Sequence, residues 1–284
     1  MSTSSINAAD VKRLRDMTNA PMMDCKSALA EAQGDMKKAA QILRERNSKI
    51  QEKKAERETA EGRIGVFIAS DHSRAAIIEM RCESAPVAKN EIFQKLVDDI
   101  AFHVAQTGAT SAEEVLNQPL ISNKAQTVNE RIGEAVGLLR ENMKLARVHA
   151  MEGGPFGSYV HFDGSVGVLL QAEGEKNEEV LKDVSMHITA KSPVALRRED
   201  VPADALDREK QIALAQIDAD EKNKNKPANI KDMIIQGKLK TWLQENVLLD
   251  QPFVKDDTKT IDALTKGAKV NLKQFKRFKV GELT

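Results

Sequence analysis

Residues 63–81 read RIGVFIASDHSRAAIIEMR: two apolar runs, 63–69 and 75–81, on either side of the polar turn Ser70-Asp71-His72-Ser73. Apolar runs of this length, bounded by turn residues, form a β-hairpin. A helix is expected from about Lys89, where Ile92, Phe93, Leu96, Val97, Ile100 and Val104 recur at helical spacing and define a wide apolar face. The same order returns downstream. Residues 158–161 and 165–171 read as a second hairpin turned at Asp163-Gly164, and a helix is expected from Glu178 to about Ala190. Its core, Val184-Ser185-Met186-His187-Ile188-Thr189, echoes Ile100-Ala101-Phe102-His103-Val104-Ala105. A hairpin followed by a helix, twice over, predicts an α+β fold with two core subdomains of similar architecture and antiparallel sheets.

The regions around this repeat are helical. Residues 1–46 predict three short helices: Asn7 caps the first, Pro21 opens the second, Gly34 ends it and Asp35 caps the third. From Arg44 to Arg63 apolar residues nearly vanish and charges of both signs alternate, which marks a solvated helix or linker. Between the repeats a long helix is expected over 125–150, with Val128, Ile132, Val136, Leu139 and Met143 on one side, broken by Gly153-Gly154-Pro155. Residues 204–220 and 229–247 predict an antiparallel helical hairpin arm inserted in the second subdomain, with Leu206, Ala213 and Ile217 facing Ile230, Ile234 and Trp242. The tail over 274–280 alternates like a returning strand. The division is then a helical module with linker over 1–55, a first core subdomain over 56–140, and a second over 141–284 carrying the arm at about 203–248.

Composition narrows the function. The 284 residues carry 43 acidic and 43 basic side chains, so bulk electrostatics does not point to nucleic acid. One Trp, one Tyr and eight Phe are too few for base-stacking platforms. No apolar run nears the roughly 20 residues that span a bilayer, and residues 1–10 lack a signal-peptide pattern. Two distant cysteines, Cys25 and Cys82, suit a reducing cytoplasm. There is no phosphate loop and no metal-ligand spacing among the five histidines, so neither a cofactor nor a metal is expected. Cys82 with His103 or His187 is the best enzymatic pairing, set against the plainer reading of a small core residue and two locally bonded histidines. The basic tail 266–279 reads as a solvated strand edge ahead of an RNA contact. Met22-Met23 are either both core or an adaptable apolar contact for a partner.

Several segments taken in order resemble bacterial elongation factor Ts, the nucleotide-exchange factor for elongation factor Tu. They are residues 18–29 (TNAPMMDCKSAL), Glu79-Met80-Arg81-Cys82-Glu83, Val87-Ala88-Lys89-Asn90, Glu141-Asn142-Met143-Lys144-Leu145, Gly157-Ser158-Tyr159-Val160-His161, Met186-His187-Ile188, Gln251-Pro252-Phe253-Val254 and Phe278-Lys279-Val280-Gly281-Glu282. The resemblance implies a ubiquitin-associated-like N-terminal module and a cytoplasmic, non-enzymatic exchange factor with no direct nucleotide site. It implies contacts to elongation factor Tu from Met22, Met23 and Lys26, a loop at Ser84, Ala85, Pro86 and Val87 that disturbs the partner's Mg²⁺, and His187 near the partner's phosphate loop. One departure stands out. Where the family has an Asp-Phe wedge, this chain has Ala85-Pro86, without charge, aromatic area or, at the proline, a backbone N–H. The alternative is a Tu-binding holdase or regulator with weak exchange.

Overall fold

The computed structural model describes residues 6–282; the signal-peptide reading therefore rests in part on residues 1–5, outside the described range. Three helices come first: α1 (Ala8–Thr18), α2 (Met22–Glu31) and α3 (Met36–Lys54). Asn7 Oδ1 accepts the Asp10 amide at 2.7 Å, and Asp35 accepts the Lys37 and Lys38 amides, so both expected caps form. Val11, Leu14, Cys25, Ala28, Leu29, Ala39 and Leu43 make the module's thin core. Helix α3 continues well past Leu43 through the charged stretch, which is thus largely helical.

The hairpin follows as β1 (Glu61–Ile68) and β2 (Arg74–Cys82). After it come α4 (Ala85–Ala88), α5 (Glu91–Thr107), α6 (Ala112–Leu116), β3 (Pro119–Leu120), β4 (Asn123–Thr127), α7 (Val128–Leu139) and β5 (Met143–Glu152). The sheet order is β1-β2-β5, all antiparallel. Ala76, Ile78, Met80 and Cys82 of the central strand face Phe93, Leu96, Val97 and Ile100 of α5, with Val128, Ile132 and Val136 of α7 completing the core.

The single helix expected over 125–150 is corrected to a strand, a helix and a second strand. Thr127 and Glu130 form a reciprocal capping box that starts α7 at Val128. Arg140, in the left-handed region at φ 60°, stops it by donating its N–H to Val136 O. Beyond the stop, Met143 and Leu145 turn inward while Lys144 stays exposed, the period of a strand. Met143 continued the helical spacing of Leu139 by coincidence, and a non-glycine left-handed stop leaves no glycine to reveal it.

The second half repeats the plan with β6 (Phe156–Val160), β7 (Val166–Gly174), α8 (Glu178–Lys191), the arm helices α9 (Ala203–Ala219) and α10 (Ala228–Asn246), β8 (Pro252–Phe253), β9 (Asp256–Thr260), α11 (Ile261–Gly267) and β10 (Val270–Lys279). Its sheet has the order β10-β7-β6 over a core of Val168, Leu170, Leu181, Val184, Ile188, Phe253 and Ile261. In the arm, Ala213 and Ile217 close on Ile235 and Ile234, while Leu206 and Trp242 pack at the base with Val201 and Val247. The chain is α+β. By contacts it forms two compact units: Met1–Glu152 with Val160–Gly167 and Phe278–Thr284, and Gly153–Tyr159 with Val168–Arg277. Among the described residues no helix is long and apolar enough to cross a membrane.

The repeat extends further than the hairpins. In the first unit His103 Nε2 lies 2.8 Å from Gln118 Oε1 and its Nδ1 accepts the Ile121 amide. In the second, His187 Nε2 lies 2.8 Å from Gln251 Oε1 and its Nδ1 accepts the Val254 amide. Gln118-Pro119-Leu120-Ile121 and Gln251-Pro252-Phe253-Val254 open equivalent small hairpins, each followed by a helix capped by threonine, Thr127 and Thr260. The histidine and glutamine are 15 residues apart in the first copy and 64 in the second. The arm makes most of that difference, which marks it as an insertion.

Candidate protein-docking site

Asn19 takes a left-handed φ of 55° and turns the chain from α1 into α2. Cys25, Ala28 and Leu29 then face inward, so the first turn of α2 projects outward beyond the module's core. Met22 and Met23 are both exposed, at 50% and 72%, and the reading of two core methionines is corrected. Lys26, three and four residues on, shares their surface and is exposed. Asp24 lies 3.6 Å from the guanidinium of Arg140.

Residues 84–87 are not an open loop. Ser84 precedes the single turn α4, in which Ala85 and Pro86 are exposed, Val87 packs partly against the core and Ala88 is buried. Ser84 is held from outside the turn: its N–H donates to Glu141 Oε2 at 3.0 Å and its hydroxyl to Glu141 Oε1 at 2.6 Å. The neighbouring Asn142 amide donates to Glu83 Oε1, and the Asn142 side chain donates to the carbonyls of Ala55 and Arg57.

Cys82 does not fit the nucleophile reading. Burial, then the Glu141 carboxylate, push its thiol up to about 12, and its Sγ sits 3.3 Å from Ser84 O. His103 is fully buried with both ring nitrogens engaged, so it has no lone pair to offer as a base. Among the described residues no three His, Cys, Asp or Glu side chains converge on a metal position.

His187 is likewise fully buried. The Val254 amide can only donate, so Nδ1 is the acceptor and Nε2 carries the proton toward Gln251 Oε1. Burial lowers the His187 pKa, partly offset by the Gln251 bond. In this conformation neither nitrogen is presented at the surface. A more exposed feature that sequence reading passed over is the tip of the β6–β7 hairpin, where Phe162 is 87% exposed and lies against His161 at 4.6 Å between ring centroids. Its signal was an aromatic at a turn, immediately before Asp163-Gly164.

Comparison with known proteins bears on the whole chain. Residues 83–282 match the family model described as Elongation factor TS. A protein named Elongation factor Ts from Aquifex aeolicus is 40% identical, covering 98% of this chain and 99% of its own length. Proteins of the same name from Hydrogenobaculum sp. and Halothermothrix orenii are 40% and 37% identical, each again covering 98% of this chain.

Proposed function

The chain belongs to the elongation factor Ts family, and from that premise we propose that it is a guanine-nucleotide exchange factor that binds elongation factor Tu and promotes GDP release. The observation that carries the reading is the end-to-end similarity to those relatives; the exposed Met22-Met23 pair, a large apolar surface without a partner in the chain's own core, supports it. An exchange factor binds the nucleotide-free partner better than the nucleotide-bound one, and by linkage weakens GDP by the factor with which GDP weakens it. Each tenfold of weakening requires about 1.4 kcal/mol of differential contact. Fully burying a methionine side chain contributes about 1.5–3 kcal/mol, and only the share of such a contact that is made to the nucleotide-free partner and lost with GDP bound counts toward exchange.

In this reading Met22, Met23 and Lys26 dock on the GTPase domain, and the turn at Ser84, Ala85, Pro86 and Val87 enters near the partner's Mg²⁺. With no carboxylate and no aromatic ring at Ala85-Pro86, the turn acts by its shape. His187 enters as a framework residue that holds the Gln251–Val254 hairpin to α8, in the way His103 holds Gln118–Ile121 to α5. No covalent step and no cofactor are required. A second reading, a Tu-binding holdase or regulator, is favoured specifically by Ala85-Pro86.

Stopped-flow release of fluorescent GDP from elongation factor Tu, at increasing concentrations of this protein, separates them. Saturable acceleration is expected. Tight binding without acceleration would select the holdase, and no binding would remove both readings.

A further inference from the structure

We infer that Glu141 is a positioning residue for exchange: its carboxylate fixes the 84–87 turn from behind, and the segment 140–142 ties that turn to the helical module. The inference rests on the exchange reading and adds a residue to it.

Serine before a helix normally accepts a hydrogen bond from an amide of the first turn. Ser84 has the extended backbone of a cap, φ −133° and ψ 151°, yet its side chain makes no capping bond. The hydroxyl is instead donated to Glu141, and so is its N–H, so one carboxylate holds both the side chain and the backbone of a single residue. Charge-assisted bonds of this kind are the strong ones. Pro86 adds a fixed φ to the same short turn. A surface that acts by shape has to be rigid before the partner arrives, because any ordering left to the encounter is subtracted from binding. Glu141 and Pro86 supply that rigidity in place of charge and ring area.

The three consecutive side chains reach three different places. Arg140 points its guanidinium at Asp24, beside Met23; Glu141 grips Ser84; Asn142 holds the carbonyls of Ala55 and Arg57 at the end of α3, while its amide holds Glu83. Arg140, in the left-handed region, ends α7 at this point. Both surfaces proposed to touch the partner, at 22–26 and at 84–87, are thus referred to one short segment between α7 and β5.

The test uses the full chain, elongation factor Tu and fluorescent GDP. Glu141→Ala is expected to lower the saturating release rate about tenfold, as loss of a charge-assisted hydrogen-bond pair would, with less than about a twofold change in half-saturating concentration. Ser84→Ala should add little in the Glu141→Ala background, and Glu141→Gln, which keeps one acceptor, should recover part of the rate. Amide hydrogen exchange at Ser84 reads the grip without the partner and should speed up in Glu141→Ala. Faster Ser84 exchange with an unchanged release rate would overturn the inference. So would a loss confined to affinity, or a fall in rate that follows thermal stability in every variant. A wild-type chain that fails to release GDP would remove the proposed function, and that result is seen before any substitution is made.

Discussion

Met22 and Met23 occupy adjacent positions about 100° apart on a helix, yet both are outside, because the inward face of α2 begins only at Cys25. Their truncation removes little that folding buries. Met22→Ala with Met23→Ala should change the unfolding free energy by under about 1 kcal/mol, while weakening binding to elongation factor Tu by on the order of tenfold or more. Chemical denaturation and titration calorimetry on the same variant check both halves; equal losses would return the methionines to the core. His187 poses the opposite case, a polar residue wholly inside. Burial disfavours the charged ring and lowers the His187 pKa below the ordinary 6.5, and the Val254 N–H already occupies the Nδ1 lone pair that a proton would need. The unfolded chain therefore takes up the proton first as pH drops. Stability from this group is complete above about pH 6.5 and is lost as pH falls below it toward the folded-state value. Urea titrations at pH 8 and pH 5.5 should show a larger acid-side loss for the wild type than for His187→Gln.

At the scale of elements, α3 meets α7 through Gly133 and Gly137, one turn apart. A Cβ on Gly137 would stand 2.2 Å from Asn47 Oδ1 and 2.7 Å from its Cγ; on Gly133 it would stand 2.9 Å from Gln51 Oε1. Alanine exceeds glycine in a helix interior by roughly 1 kcal/mol, so each substitution sets a gain against a clash. Gln51 is long and can swing aside. Asn47 is short, and its whole amide is in the way. Gly133→Ala should therefore be near neutral, whereas Gly137→Ala should cost about 1–3 kcal/mol by overpacking. Asn47→Ala in the same chain should restore the loss, which denaturation of the single and double variants measures. None of this seam was legible beforehand, because glycines facing a polar helix carry no apolar period. The hairpins and α5, α8 and α9 were legible, since Phe93, Leu96, Val97, Ile100 and Val104 and their counterparts are buried at helical spacing, although Ile92 stays exposed; α10 was legible as a helix, but its one buried residue is Ile235, not the expected Ile230, Ile234 or Trp242. Strand β5 was hidden by Met143 at helical spacing and by a left-handed Arg140. The Gln-Pro hairpins were visible as a pair, Gln118-Pro119 and Gln251-Pro252, but a repeat split by an inserted arm does not line up at a fixed interval. Of the candidate site, the positions 22–26 and 84–87 are proposed on the family likeness; Glu141's hold on Ser84 was not legible, since it joins residues 57 apart.

Over the whole molecule, the first unit is closed by its most distant residues in sequence. Glu79 on the central strand is fully buried and accepts from Arg81 Nε at 2.7 Å, from Arg147 Nε, and from the amide of Gly281, 202 residues away. Arg147 also donates to Lys279 O at 2.7 Å and lies 4.4 Å from the Phe278 ring. A carboxylate with three donors in place is tolerated inside; what is costly is removing it, since two guanidinium groups then remain in a weakly screening environment. Glu79→Ala should cost about 3–5 kcal/mol, and Glu79→Gln, which keeps an acceptor, should cost less. The discriminating variable is salt. The Arg46–Glu31 pair is well exposed and should contribute under about 1 kcal/mol, fading as ionic strength rises. A buried cluster is screened far less, so the Glu79→Ala loss should persist in about 1 M salt, where the Debye length is near 3 Å. Urea unfolding of Glu79→Ala and Glu31→Ala at low and high salt decides it: a Glu79→Ala effect that fades like that of Glu31→Ala would mean water reaches the cluster and residues 278–281 do not close the unit.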